Sequence, residues 1–322
     1  MADSDESAVG LYCLMLAETD RIGSGATAAR DGSANNPVHC SSCAACAACS
    51  GALGRRPTAF TMTATSAPDT RPPVATERHG HVLVVRLQRP EARNALDLAT
   101  ARGIHAAMDE LDDDDNLFAG ILTGSGGNFC AGADLKAVAR GERPTTERGA
   151  AGLMAKPARK PLIAAVEGWA LGGGFELCLA CDLVVAARDA RFGLPEVKRN
   201  LVAAWGGLFR LPKRLPQGLA MELALLGEPR SAEFFVPHGL VNRVTEPGQA
   251  LQGALQLAGQ MLANGPTALA ATVQIMRNAH NWSEAEAWRE QEPFVMAARQ
   301  AEDCQEGLAA FMEKRPPVWK GR

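Results

Sequence analysis

Two glutamates are the residues of this chain best placed to do chemistry. Glu176 ends the run Ala170-Leu171-Gly172-Gly173-Gly174-Phe175-Glu176, and Glu196 ends Phe192-Gly193-Leu194-Pro195-Glu196, 20 residues further on. Two carboxyl groups facing one reactive centre can hold a water and pass protons both ways, one as base and the other as acid. Glycines just ahead of the first let backbone approach a ligand closely. The same pattern also fits a helix N-terminus with an acidic first turn, which the helix dipole favours without any catalysis. The glutamates alone leave both readings open.

The elements that must position them alternate in type. Residues 81–87 read as a strand, and residues 89–94 as a loop broken by Pro90. Asp97 can cap a helix whose apolar positions Leu98, Ala101, Ile104, Ala107, Met108 and Leu111 recur at three- and four-residue steps. An acidic stop at 112–115 precedes a buried strand at 119–123 and a glycine-rich turn at 124–127. Strand-like stretches at 161–166 and 183–187 flank the triple glycine. Short strands alternating with helices predict an α/β fold built from βα or ββα units. From about residue 250 the pattern is nearly all helical, with Leu251, Leu255, Leu257, Ala258, Met261 and Leu262 on one amphipathic segment and further helices over 288–301 and 301–312.

Composition narrows the function classes. With 47% hydrophobic and 21% charged residues, the 322-residue chain has the make-up of a globular protein. A formal net charge of −3 gives no nucleic-acid footprint. No apolar run approaches the ~18 residues of a membrane helix. Asp3, Asp5 and Glu6 stand where a secretory signal needs positive charge, so a cytoplasmic location is expected. Residues 1–75 are rich in small and polar types and read as a disordered extension, with Met62 a candidate start and residues 1–61 an upstream addition. The core is assigned to residues 76–260 and a C-terminal helical region to 261–322. Cys40, Cys43, Cys46 and Cys49 follow a C-x2-C-x2-C-x2-C spacing open to metal or redox roles, but no histidine or second cluster accompanies them. The remaining cysteines past residue 100 read as reduced packing residues.

Four segments carry a family resemblance: residues 89–96 (RPEARNAL), 129–136 (FCAGADLK), 161–182 with the triple glycine, and 192–196 (FGLPE). In this order and spacing they resemble the crotonase (enoyl-CoA hydratase) superfamily over about residues 78–322. The resemblance implies a ββα superhelix with a C-terminal helical trimerisation region, and homotrimers or homohexamers. It implies an acyl-CoA thioester substrate, with no metal or separate cofactor because CoA arrives as part of the substrate. The backbone amides of Ala133 and Gly173 would then hold the enolate oxygen, Glu176 would activate water for attack at Cβ, and Glu196 would deliver a proton to Cα. Arg93, Ala131, Asp134, Leu135 and Lys136, together with Ala133, would meet CoA, and Lys314 or Lys320 would reach CoA bound to a neighbouring subunit.

Two departures from the family pattern stand out. Ala204 occupies a position where a glycine amide often helps hold water, and Trp205 adds bulk next to the acyl pocket. Pro237 interrupts an expected helix, and His238 beside it reads as a loop or core histidine. The leading expectation is a trans-2-enoyl-CoA hydratase. Alternatives are a crotonobetainyl-CoA (carnitinyl-CoA) hydratase, whose quaternary ammonium could sit on the Trp205 ring, an enoyl-CoA isomerase, and a catalytically silent binding protein of the same fold.

Overall fold

In this computed structural model, which describes residues 71–322, the first two strands are β1 (Val74–His79) and β2 (Val82–Leu87), paired antiparallel. The fold therefore opens at Val74, just inside the stretch assigned to the extension. Its Thr76, Glu77, Arg78 and His79 are exposed, so this edge strand carries no apolar run to betray it. The candidate start at Met62 and the cysteine cluster lie outside the described residues.

Asp97 caps helix α1 (Leu98–Asp113) by accepting from the Thr100 amide, and Ala101, Ile104, Ala107, Met108 and Leu111 form its buried face. Strand β3 (Ala119–Gly124) follows, then the short helix α2 (Leu135–Ala139) and a small ribbon of β4 (Thr145–Thr146) and β5 (Gly149–Ala150). Next come β6 (Leu162–Val166), β7 (Trp169–Leu171) and α3 (Gly173–Ala180), and then β8 (Leu183–Ala187), β9 (Arg191–Gly193) and a 3-10 turn over Pro195–Arg199.

Two sheets result. The larger runs β1-β2-β3-β6-β8-β11, where β11 is Arg243–Thr245, and every pair in it after β1 is parallel. The smaller runs β10-β9-β7, with β10 at Arg230–Ser231, and a bridge from Cys130 to Ala170 extends it. Each turn of the chain thus lays a long strand in the first sheet and a short strand or bridge in the second, then adds a helix or helical turn. This is the ββα spiral.

The large sheet is buried on both faces, as parallel sheets are. Strand alternation sends Leu83, Val85 and Leu87 of β2 to the side of α1, and Val82 and Val84 to the opposite side. Helix α4 (Gly207–Arg214), α5 (Gln217–Leu226) and the four-residue α6 (Ala232–Phe235) precede α7 (Ala250–Met261). Residues 236–239 turn after α6, and the His238 ring leans on Phe234 rather than on either glutamate. Helix α7 covers the second sheet face with Ala250, Ala254 and Ala258, while its leucines are only partly buried at the flanks. The leucine stripe read from the sequence is therefore the rim of the contact, because small residues let the helix lie close to the strands.

Four further helices complete the chain: α8 (Pro266–Asn278), α9 (Glu284–Glu290), α10 (Glu292–Gln300) and α11 (Glu302–Glu313). The helix expected over 288–301 is split near Gln291, ahead of Pro293. Arg277 of α8 grips Asp182 with two bonds of 2.7 and 2.6 Å, fastening this region to the end of the α3 segment.

Candidate active site

The β7–α3 junction is where backbone comes closest to backbone. Gly172 has φ 53° and ψ −126°, a conformation glycine adopts without strain. At Gly174 a Cβ would overlap the Cys130 carbonyl oxygen, so the helix start is pressed against the neighbouring strand segment. Gly132 lies on the same seam: a Cβ there would sit 3.3 Å from the Gly173 nitrogen. This brings the Ala133 and Gly173 amides to one spot. The Leu96–Ala133 bridge uses the Gly132 carbonyl and the Asp134 amide, which turns the Ala133 N–H away from its strand partner. Among the described residues, neither the Ala133 nor the Gly173 amide has an acceptor. Gly173 also opens helix α3, so its N–H lies at the positive end of the helix dipole.

Glu176 stands one turn into α3 and is only 2% exposed. Its Oε1 accepts from the Trp205 and Gly207 amides, each at 2.8 Å. Burial raises its pKa to about 7. The Gly207 and Trp205 amides oppose the rise, and the nearby Glu196 charge adds to it. Glu196, in the 3-10 turn, reaches the same glycines at Gly172, where a Cβ would be 2.8 Å from its Oε1. Among the described residues its buried Oε2 has no hydrogen-bond partner, and burial raises its pKa as well. Two carboxyls whose pKa values burial raises thus lie beside a turn with two unused amides. Such a site can take a proton from a water, give one to a carbon, and hold an oxyanion in between.

Trp205 bears on both ends of this arrangement. Its amide holds Glu176, and its ring covers Gly173, where a Cβ would lie 2.5 Å from Cζ3. Arg210 donates to the Trp205 carbonyl at 3.2 Å and also to the Met154 carbonyl. Sequence reasoning missed the anchoring amides of Trp205 and Gly207 and the Arg210 clamp. The available signal was Gly206-Gly207 at the head of an amphipathic helix. Ala204, singled out from the sequence, forms no such bond to Glu176; the two amides that do lie one and three residues further on.

The residues expected at CoA gather beside Ala133. Arg93 is exposed with φ 50°, and its carbonyl accepts from the Ala131 amide. Leu135 and Lys136 are exposed on the first turn of α2. Among the described residues neither Arg93 nor Lys136 forms an ion pair, so both cations face outward unspent. The Asp134 side chain is committed elsewhere. It caps α2 through the Lys136 and Ala137 amides and pairs with Arg89 at 2.8 Å. Cys130, Cys178 and Cys181 are fully buried, and burial pushes all three thiols up, Cys130 and Cys181 to about 12, so none is a nucleophile at neutral pH. Among the described residues no cluster of histidine, cysteine and carboxylate side chains is built to hold a metal, and no helix is long and apolar enough to cross a membrane.

Fold and site together bring two carboxyl groups close to two main-chain amides that have no acceptor among the described residues. Comparison with known proteins gives the family. The family model described as enoyl-CoA hydratase/isomerase matches residues 77–322. A carnitinyl-CoA dehydratase of Salmonella typhi is 41% identical over 254 residues, covering 76% of this chain and 97% of that protein. Among solved structures, an enoyl-CoA hydratase from Mycobacterium tuberculosis H37Rv is 50% identical with a TM-score of 0.76, covering 78% of this chain and all of that one. A carnitinyl-CoA hydratase from Mycobacterium avium is 42% identical with a TM-score of 0.63, covering 79% of this chain and all of that one. The chain belongs to the enoyl-CoA hydratase/isomerase family, within the crotonase superfamily.

Proposed function

We propose that the chain is a hydro-lyase acting on acyl-CoA thioesters, a trans-2-enoyl-CoA hydratase that adds water syn across the double bond to give a 3-hydroxyacyl-CoA. The thioester carbonyl oxygen receives the Ala133 and Gly173 N–H groups. Glu176, ionised, takes a proton from water as its oxygen attacks Cβ. The electron pair moves onto the thioester oxygen as an enolate held by the two amides, and Glu196 gives a proton to Cα as the carbonyl re-forms. Arg93 and Lys136, both exposed cations, would meet the CoA phosphates. No cofactor beyond the CoA of the substrate is required. The observation that carries this reading is a buried Glu176 and a half-buried Glu196, both with pKa raised by burial, beside a glycine turn with unused amides.

The test is loss of enoyl-thioester absorbance with crotonyl-CoA. Glu176→Gln and Glu196→Gln should each lower kcat by about 10²–10⁴. Full activity in either variant would refute its assigned role. A second reading, hydration of crotonobetainyl-CoA, is favoured by the 41% identity to carnitinyl-CoA dehydratase and by an indole beside the site. A higher kcat/KM for crotonobetainyl-CoA than for crotonyl-CoA would select it. The same proposal has the enzyme cytoplasmic and assembled as trimers or paired trimers. The exposed Leu308, Phe311 and Met312 of α11 favour such assembly.

A further inference from the structure

Trp205 is tied down at its backbone on both sides and pressed against the oxyanion site by its ring. The amide donates to Glu176 at 2.8 Å, and the carbonyl accepts from Arg210 at 3.2 Å. A Cβ on Gly173 would meet Cζ3 at 2.5 Å and Cε3 at 2.7 Å, and would be 3.6 Å from the Ala133 nitrogen. The six-membered edge of the indole therefore touches the floor on which a thioester carbonyl would rest, with no slack beneath it. The ring is only partly buried, so it also borders open space. Gly206 and Gly207, which follow it, leave no second bulky side chain at this point.

From this geometry, and resting on the hydratase reading, we infer that Trp205 is a specificity-determining wall that confines the enzyme to short acyl thioesters, and that displacing it disarms the base. A long acyl group can pass only by moving the indole. Moving the indole drags the Trp205 peptide, and that peptide holds one of the two amides on Glu176 Oε1. An acyl chain that is too long therefore loses turnover as well as binding. A wall unconnected to the catalytic groups would weaken binding alone.

The experiment compares trans-2-enoyl-CoA esters of four to ten carbons on the full-length enzyme and on Trp205→Ala and Trp205→Phe. In the unaltered enzyme, kcat should fall at least tenfold from the four- to the ten-carbon ester, with KM rising too. In Trp205→Ala the fall in kcat should shrink to within about threefold, since removing pocket bulk shifts discrimination on the scale of ten- to two-hundredfold. Trp205→Phe, which keeps an aromatic ring and guards against a misfolded alanine variant, should lie between. Parallel chain-length profiles in all three proteins, a flat profile in the unaltered enzyme, or a profile confined to KM would overturn the inference. Calorimetric binding of butyryl-CoA and decanoyl-CoA, which needs no turnover, separates this from failure of the hydratase reading. If no ester is hydrated but Trp205→Ala gains at least tenfold in decanoyl- over butyryl-CoA binding, the wall stands and the reaction assignment falls. If that ratio is unchanged, the wall falls.

Discussion

Glu176 and Glu196 carry the same functional group in opposite settings. Glu176 rides on α3, buried, with one oxygen locked by two amides. Glu196 sits in a five-residue 3-10 turn whose following residues, Val197 to Asn200, are exposed, and its buried Oε2 has no protein partner. A base that must aim at a water benefits from fixed acceptor geometry. An acid that must release a proton to carbon benefits from an oxygen no neighbour has claimed. The contrast teaches that two raised carboxyl pKa values can have different structural supports, one oxygen of Glu176 being held by two amides and one of Glu196 being left open.

The contrast breaks most completely at the floor between the two groups. Gly173→Val should drive a side chain into the Trp205 ring and displace the Gly173 amide. Losing one oxyanion donor costs about 10²–10³ in rate, and the added clash should abolish measurable turnover; retained activity would show that this amide is not used. A pH profile is the next strongest probe. The base must be ionised, so kcat/KM should rise as pH rises through about 7, falling tenfold per unit on the acid side. Because the Glu196 charge contributes to the raised value, Glu196→Gln should move what remains of that limb to lower pH.

Stability gives a smaller, independent reading. Folded Glu176 holds its proton more tightly than the unfolded chain, so its contribution is present below pH ~4.5 and is lost as pH rises to about 7. Glu176→Gln should therefore stabilise the fold by about 3 kcal/mol at pH 8 and by less than ~0.5 kcal/mol at pH 4.5, measured by urea unfolding. A pH-independent difference would remove burial as the cause of the shift. The smallest effect is expected in the CoA-side region. Asp134→Ala loses the α2 cap and should cost about 1 kcal/mol, with KM rising because Lys136 loses its fixed turn.

Much of this site was legible because its chemistry sits in short contiguous runs. The glycines from 172 to 174, Glu176, Glu196 and residues 129–136 all announce themselves locally. The alternation of strands and helices was legible for the same reason, since burial of the parallel strands forces apolar runs at 119–123 and 183–187. What escaped depends on distance. The amides that hold Glu176 lie 29 and 31 residues downstream, and backbone donors leave no side-chain signature. Strands β7 and β9 have three residues each, too few for a period to register. On α7 the larger leucines masked the alanine face that touches the sheet.

The far end of α3 has its own consequence. Arg214 donates to the Cys178 and Asp182 carbonyls there, and Asp182 is in turn clasped by Arg277 from α8. Positive charge thus neutralises the carbonyl tail of the helix whose first turn carries Glu176. Cutting the chain before Pro266 would strip away one of those arginines and leave Asp182 without its counter-charge. The C-terminal helices are therefore no detachable appendage, since how firmly they dock is felt at the end of the helix that carries Glu176.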